Sequence, residues 1–128
     1  MSKYISTSTK GLGYRLNKLG YSSYKEYLSS IHWRFFRKKF YSQSKRVKRM
    51  LAKRGFVWCE WCKSRDRLCL HHKTYKHLGS EFLDDVVLIC QNCHDEVHKL
   101  ESFGFNLWKA TKIIKQRKLR NKSKHLCK

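Results

Sequence analysis

Long apolar stretches are missing from this chain of 128 residues. The longest uninterrupted one, Val86–Cys90, is five residues, against the roughly 18 or more needed to span a bilayer, so no membrane partner is expected. No apolar stretch follows the polar segment Met1–Lys10 either. No signal peptide is therefore visible, and the chain is expected to stay in the compartment where it is made. Acidic residues are scarce: nine Asp and Glu stand against 30 Lys and Arg, a formal net charge of +21 at pH 7 with a pI of about 10.1. That imbalance is foreign to an ordinary soluble enzyme and asks for a polyanionic partner. Cysteine is too sparse for a disulfide scaffold, six residues or about 5%, where such scaffolds carry roughly 8–10%. Proline is absent altogether, which decides nothing by itself. A mass of 15.5 kDa leaves room for one small domain plus arms, and excludes a multidomain enzyme with its own cofactor-binding fold.

What is present is unevenly spread. Residues 1–55 carry 15 Lys or Arg and one acid, residues 56–103 carry six against eight, and residues 104–128 carry nine against none. Two basic flanks around a nearly neutral centre suggest that the flanks hold a phosphate backbone while the centre uses its carboxylates and imidazoles. The chain divides accordingly into a basic flexible arm at 1–22, a basic helical region at 23–55, a central domain at 56–103 and a basic helix or tail at 104–128.

In the arm, Gly11, Gly13 and Gly20 lie among Ser, Thr and Lys, and little order is expected. Ser23-Tyr24-Lys25-Glu26 has the spacing of a capping box and opens a short helix. From Trp33 the apolar positions Phe36, Phe40, Val47, Met50 and Leu51 recur at near-helical intervals among cations, predicting one long basic helix that ends at Gly55. Phe56–Trp61 reads as a strand of a hairpin around the first Cys pair, with Leu68–His72 as the returning strand. Val86–Cys90 reads as a buried strand and Asn92–Leu100 as a helix, after which Leu107, Trp108, Ile113, Ile114 and Leu119 mark a second basic amphipathic helix over 105–122. The fold class is α+β, and no repeats are visible.

The strongest spacing signal is Cys59-x-x-Cys62 and, after 27 intervening residues, Cys90-x-x-Cys93. Four thiolates on two tight turns suit one tetrahedral Zn2+ in a closed structural site, which adds folding free energy to a small core. Two disulfides and four inert buried thiols are the alternatives. Cys69 and Cys127 are left over and read as an ordinary buried cysteine and a tail cysteine.

The second signal is the group His71, His72, His94 and His98. His94 and His98, four apart on a helix, can reach one metal ion, and a strand-borne histidine can complete a three-ligand site with open positions. Adjacent strand residues face opposite ways, so His71 and His72 divide the roles, one for metal and one for substrate.

Three blocks carry a resemblance: Leu70-His71-His72-Lys73-Thr74-Tyr75, then Leu78-Gly79-Ser80-Glu81, then Asp85 through His94 with His98. In order and spacing they resemble the HNH endonucleases, most closely the zinc-stabilised type of phages and mobile elements, over about residues 56–100. The resemblance implies a small ββα-metal (His-Me finger) core with a four-Cys zinc site, flanked by basic helices, in the cytoplasm of a bacterial or phage-infected cell. It implies His72 as general base, with His71 and His98 as metal ligands, and His94 as a ligand of the His-rich members. Asp85 stands where the family usually has Asn, and its role lies between orienting the base and binding the metal, a carboxylate tilting it towards the latter. Neutral imidazole at His72 would take a proton from the water that attacks phosphorus. One divalent ion, Mg2+, Mn2+, Ni2+ or Zn2+, would neutralise charge at the phosphoryl and departing 3′ oxygens. Products would end in 5′-phosphate and 3′-hydroxyl.

The resemblance thus implies metal-dependent hydrolysis of double-stranded DNA by a homing-type nuclease, with a phage-packaging or restriction-type nuclease fitting almost as well, nicking as a monomer and cutting both strands as a homodimer or in two successive events. Arg34, Arg37, Lys38, Arg46, Arg49, Lys73, Lys112 and Lys115 are the expected backbone contacts, which position DNA without reading it. Lys76 and His77 read as a solvated loop, and Trp58 and Trp61 as packing over the Cys hairpin. The competing reading is an inactive zinc-stabilised DNA-binding module. A metal-independent RNA binder is disfavoured because no ribonucleoprotein-type aromatic sheet motif is present.

Overall fold

The computed structural model describes residues 11–126, with side chains described up to residue 120. Cys127 and the first ten residues of the expected arm lie outside the described residues. The described chain is α+β, with six helices and one small two-stranded antiparallel sheet. Its described residues form two compact units, one of residues 11–56 and 74–85, the other of residues 57–73 and 86–126. No helix among the described residues is long and apolar enough to cross a membrane.

In the first unit residues 11–18 are helical (α1), where the glycine content suggests little order. Leu16 is buried and Arg15 donates from Nη1 to the Lys76 carbonyl at 3.0 Å, so the segment is tied by packing and by one hydrogen bond. The serine half of the capping box is formed: α2 (Tyr24–Leu28) starts with the Ser23 hydroxyl accepting from Glu26 N at 3.1 Å, while Glu26 Oε1 accepts from Ser22 N, one residue before the cap, at 2.6 Å. The long basic helix is two helices, α3 (Ile31–Gln43) and α4 (Lys45–Arg54). Ser44 separates them in extended backbone, and its side chain accepts from Val47 N and caps α4. A serine that offers the backbone this alternative bond competes with the helix ladder and breaks it, although the apolar period runs on through Val47 and Met50. α4 then ends as expected, at Gly55 with φ +79°.

Residues 74–85 close this unit. Tyr27 donates its hydroxyl to Glu81, which also meets His32 Nε2 at 2.7 Å, and Gly79 N donates to Tyr27 Oη at 3.0 Å. Gly79 has φ +91°, a conformation that favours glycine, and a Cβ there would stand 3.0 Å from the Leu19 methyls, which would have to shift slightly.

In the second unit β1 (Leu68–His72) pairs antiparallel with β2 (Val86–Cys90), with His71 opposite Val87 and His72 opposite Val86. Both strands have the predicted bounds, but the predicted partner of β1 was wrong. Phe56–Trp61 is not a strand, because the chain folds back on itself there: Cys59 N donates to Ser64 O at 2.7 Å and Lys63 N to Cys59 O at 2.9 Å. Glu60 instead borders β2, exchanging Glu60 N to Leu88 O at 2.8 Å and Leu88 N to Glu60 Oε2 at 2.7 Å. α5 (Gln91–Ser102) follows β2 directly and packs on both strands and on α6 (Leu107–Leu126). Val97 of α5 and Leu107, Ala110 and Ile114 of α6 are buried, and a Lys118–Glu96 ion pair ties the two helices at the surface.

Candidate metal centres

Two groups of metal-ligating side chains lie in the second unit, and both draw on β2 or α5. The first is Cys59, Cys62, Cys90 and Cys93, whose sulfurs all lie within 4.8 Å of one another. Cys59 and Cys62 sit on the turn that replaced the expected strand, Cys90 ends β2, and Cys93 lies in the first turn of α5. Cys59 Sγ is 3.8 Å from Cys93 Sγ, and Cys62 Sγ is 3.6 Å from Cys90 Sγ. A disulfide needs about 2.05 Å, so the paired-disulfide alternative does not describe this arrangement. Four sulfurs at about 2.3 Å from a tetrahedral ion stand about 3.8 Å apart, close to the 3.8 and 3.6 Å of these two pairs. The four cysteines are positioned to bind a metal ion such as zinc.

Their proton chemistry points the same way. The hydrogen bond from Cys93, helped by backbone N–H groups including that of Cys62, pulls Cys59 down to about 4. The same bond, with burial, pushes Cys93 up. Burial pushes Cys62 up to about 11. Four sulfurs so close cannot all ionise unaided, and a dication relieves the repulsion among them. Cys69, pushed up to about 11 by burial, lies outside the group as expected.

The second group is His71, His94 and His98, with ligand atoms again within 4.8 Å of one another. His71 comes from β1, and the other two lie one turn apart on α5, which packs against that strand. The His94 and His98 Nε2 atoms are 3.0 Å apart, and the His71 ring meets that of His94 edge-on with centroids 5.3 Å apart. Exposure rises from buried His71 through His94 to exposed His98. The group therefore has three protein donors and a side open to solvent, the form of a site that keeps a position for water or substrate.

Each ring has its own setting. Burial holds His71 well below the ordinary histidine range, and its Nε2 meets Thr111 Oγ1 at 2.9 Å. Burial, then His98, lowers His94. His98 is raised, because Glu101 accepts from its Nδ1 at 2.7 Å. Thr111 and Glu101 thus brace the ring nitrogens of two of the three histidines. Glu101 shares the helix period of His94 and His98 and was legible from it. Thr111 was not, because nothing in the sequence links position 111 to position 71.

The remaining expected site residues are dispersed. His72 is 1% exposed and, facing opposite to His71 on β1, is not part of the three-histidine group. Asp85 belongs to neither metal group: it closes a 3-10 turn (Leu83–Asp85), where its carboxylate accepts from Phe82 N at 2.8 Å and meets His77 Nδ1 at 2.9 Å. His77, read as solvated, is thereby engaged. Arg34, Arg37 and Lys38 are exposed on α3 and line an open depression with Tyr41 and Ser42. Arg46 is instead tied to Asp84 at 3.0 Å and lies over the Phe40 ring, which commits it to the fold of its own unit. Arg49 on α4 and Lys112 and Lys115 on α6 are exposed, Lys112 over the Trp108 ring, and Lys73 just after β1 is half-buried.

No family model, curated protein or solved structure matches this chain.

Proposed function

We propose that this chain is a metal-dependent DNA endonuclease of the HNH type, a phosphodiester hydrolase of the phage and mobile-element kind, built on a ββα-metal core. The observation that carries the reading is the three-histidine group, drawn from one strand and one helix and open on one side, on a chain whose next residue after His71 is His72. Zinc belongs in the four-cysteine group, where it stabilises the unit. His71, His94 and His98 would hold a divalent ion, which would supply charge neutralisation at the scissile phosphate.

The chain's own residues do the rest. His72 accepts the proton of the attacking water, and its 1% exposure makes uncovering of its ring a condition of the reaction. Arg34, Arg37, Lys38 and Arg49, with Lys112 and Lys115, offer exposed positive charge to the phosphate backbone of double-stranded DNA. One such centre cuts one strand, so a monomer nicks and a homodimer severs both.

A second reading has its own support. Asp85 is engaged by His77 and Phe82, and His72 is covered, as in a zinc-stabilised DNA-binding module that does not cut. Relaxation of supercoiled plasmid separates the two readings. With Mg2+, Mn2+ or Ni2+ the wild-type protein is expected to convert supercoiled plasmid to open circles, with EDTA it is not, and His72→Ala is expected to slow nicking by about 10²- to 10⁴-fold while leaving DNA affinity intact. Tight binding without nicking in any metal would establish the module, and nicking by His72→Ala at the wild-type rate would remove the base assignment.

A further inference from the structure

Thr111 is 3% exposed on the inner face of α6, beside buried Leu107, Ala110 and Ile114. A threonine hydroxyl buried on a helix has an easy partner in a carbonyl of its own preceding turn. This one instead meets Nε2 of His71, on β1, at 2.9 Å. An imidazole that binds a cation through one nitrogen offers the other, protonated, to a nearby acceptor, which fixes both ring rotation and tautomer.

We propose that Thr111 is a positioning residue of the histidine centre: Oγ1 accepts from Nε2–H of His71, which leaves the Nδ1 lone pair of that ring for the ion. The proposal rests on the reading of His71, His94 and His98 as a metal centre. It makes α6 part of that centre: the helix that carries Lys112 and Lys115 outward carries the hydroxyl inward. The His71 ring is buried and packed edge-on by Trp61, His94 and His98, and Thr111 supplies the hydrogen bond that selects which of its nitrogens carries the proton.

The test is calorimetric titration of Co2+ or Ni2+ into full-length protein whose cysteine site already holds zinc, with the visible spectrum of bound Co2+ as a second readout. Thr111→Val keeps the shape and removes the acceptor. It should weaken binding by about 10- to 100-fold and alter the Co2+ spectrum, while Thr111→Ser restores both. His98→Ala, run alongside, tests the underlying reading. Wild-type affinity in Thr111→Val together with loss in His98→Ala overturns the role of Thr111 and leaves the centre standing. Wild-type affinity in both overturns the centre and the proposal with it. Nitrogen-15 shifts of His71 in the zinc-loaded wild type need no variant: protonated Nε2 with ligated Nδ1 is expected, and the reverse overturns the proposal.

Discussion

The cysteine group and the histidine group are neighbours on the chain, three residues separating Cys90 from His94, yet they are built to opposite ends. The cysteines supply four like donors, with Cys59, Cys90 and Cys93 buried, so every tetrahedral position is a protein ligand and none is left for a substrate. The histidines supply three donors graded from buried to exposed, with two of their rings braced by Thr111 and Glu101. The first arrangement can only stabilise. The second gives up a ligand, and with it some affinity, for an open coordination position. One strand-and-helix unit thus keeps a closed group of donors apart from an open one, and the two should respond to mutation in different observables.

The largest effect should come from the cysteines. Cys90→Ser, at the junction of β2 and α5, is expected to abolish zinc retention and with it the cooperative melting of the second unit, because structural zinc contributes on the order of 10 kcal/mol to folding in small zinc domains. Melting curves with and without a strong chelator measure it. A transition unmoved by both the substitution and the chelator would break the comparison at its first term.

His98→Ala should do the reverse. The side chain is exposed, so its removal leaves no cavity, and melting of the zinc-loaded protein should move little. The second equivalent of divalent metal should be lost in a titration that keeps the first. Loss of both equivalents together would mean that the groups are one cooperative site.

This division was partly legible beforehand. Cys-x-x-Cys spacing names the cysteine group because its donors are local pairs, and an i, i+4 repeat names His94 and His98 for the same reason. Long-range relations were illegible: that β1 pairs with β2 and not with Phe56–Trp61 depends on the Cys59 turn, where the backbone bonds to Ser64 instead of to a strand. Phe56–Trp61 has β-forming residues, and the turn overrode that propensity. The same holds for Asp85, which a linear motif aligns with the catalytic blocks and the fold engages with His77. Ser44 was visible as a residue, but the apolar period running through it hid the break between α3 and α4.

The smallest effect, and the sharpest on the histidine side, concerns pH. An ion requires all three rings neutral. Burial already lowers His71 and His94 below the ordinary value of about 6.5, so on acidification they protonate late. His98, raised by Glu101, protonates first and sets the pH below which affinity falls. Glu101→Gln removes the charge that raises His98, so the midpoint of metal affinity against pH should move to lower pH. Folding stability of the metal-free protein should respond with the opposite sign at this residue. A raised His98 stabilises the fold below about pH 6.5 and loses that contribution as pH rises through its folded value, so Glu101→Gln should cost stability on the acid side and nothing at pH 8. Titrations of Ni2+ from pH 5 to 8 on both proteins read the first shift, and melting temperatures over the same range read the second. An affinity midpoint that stays put in Glu101→Gln would show that a different ring gates the ion, and would leave Glu101 as an ordinary helix-surface carboxylate.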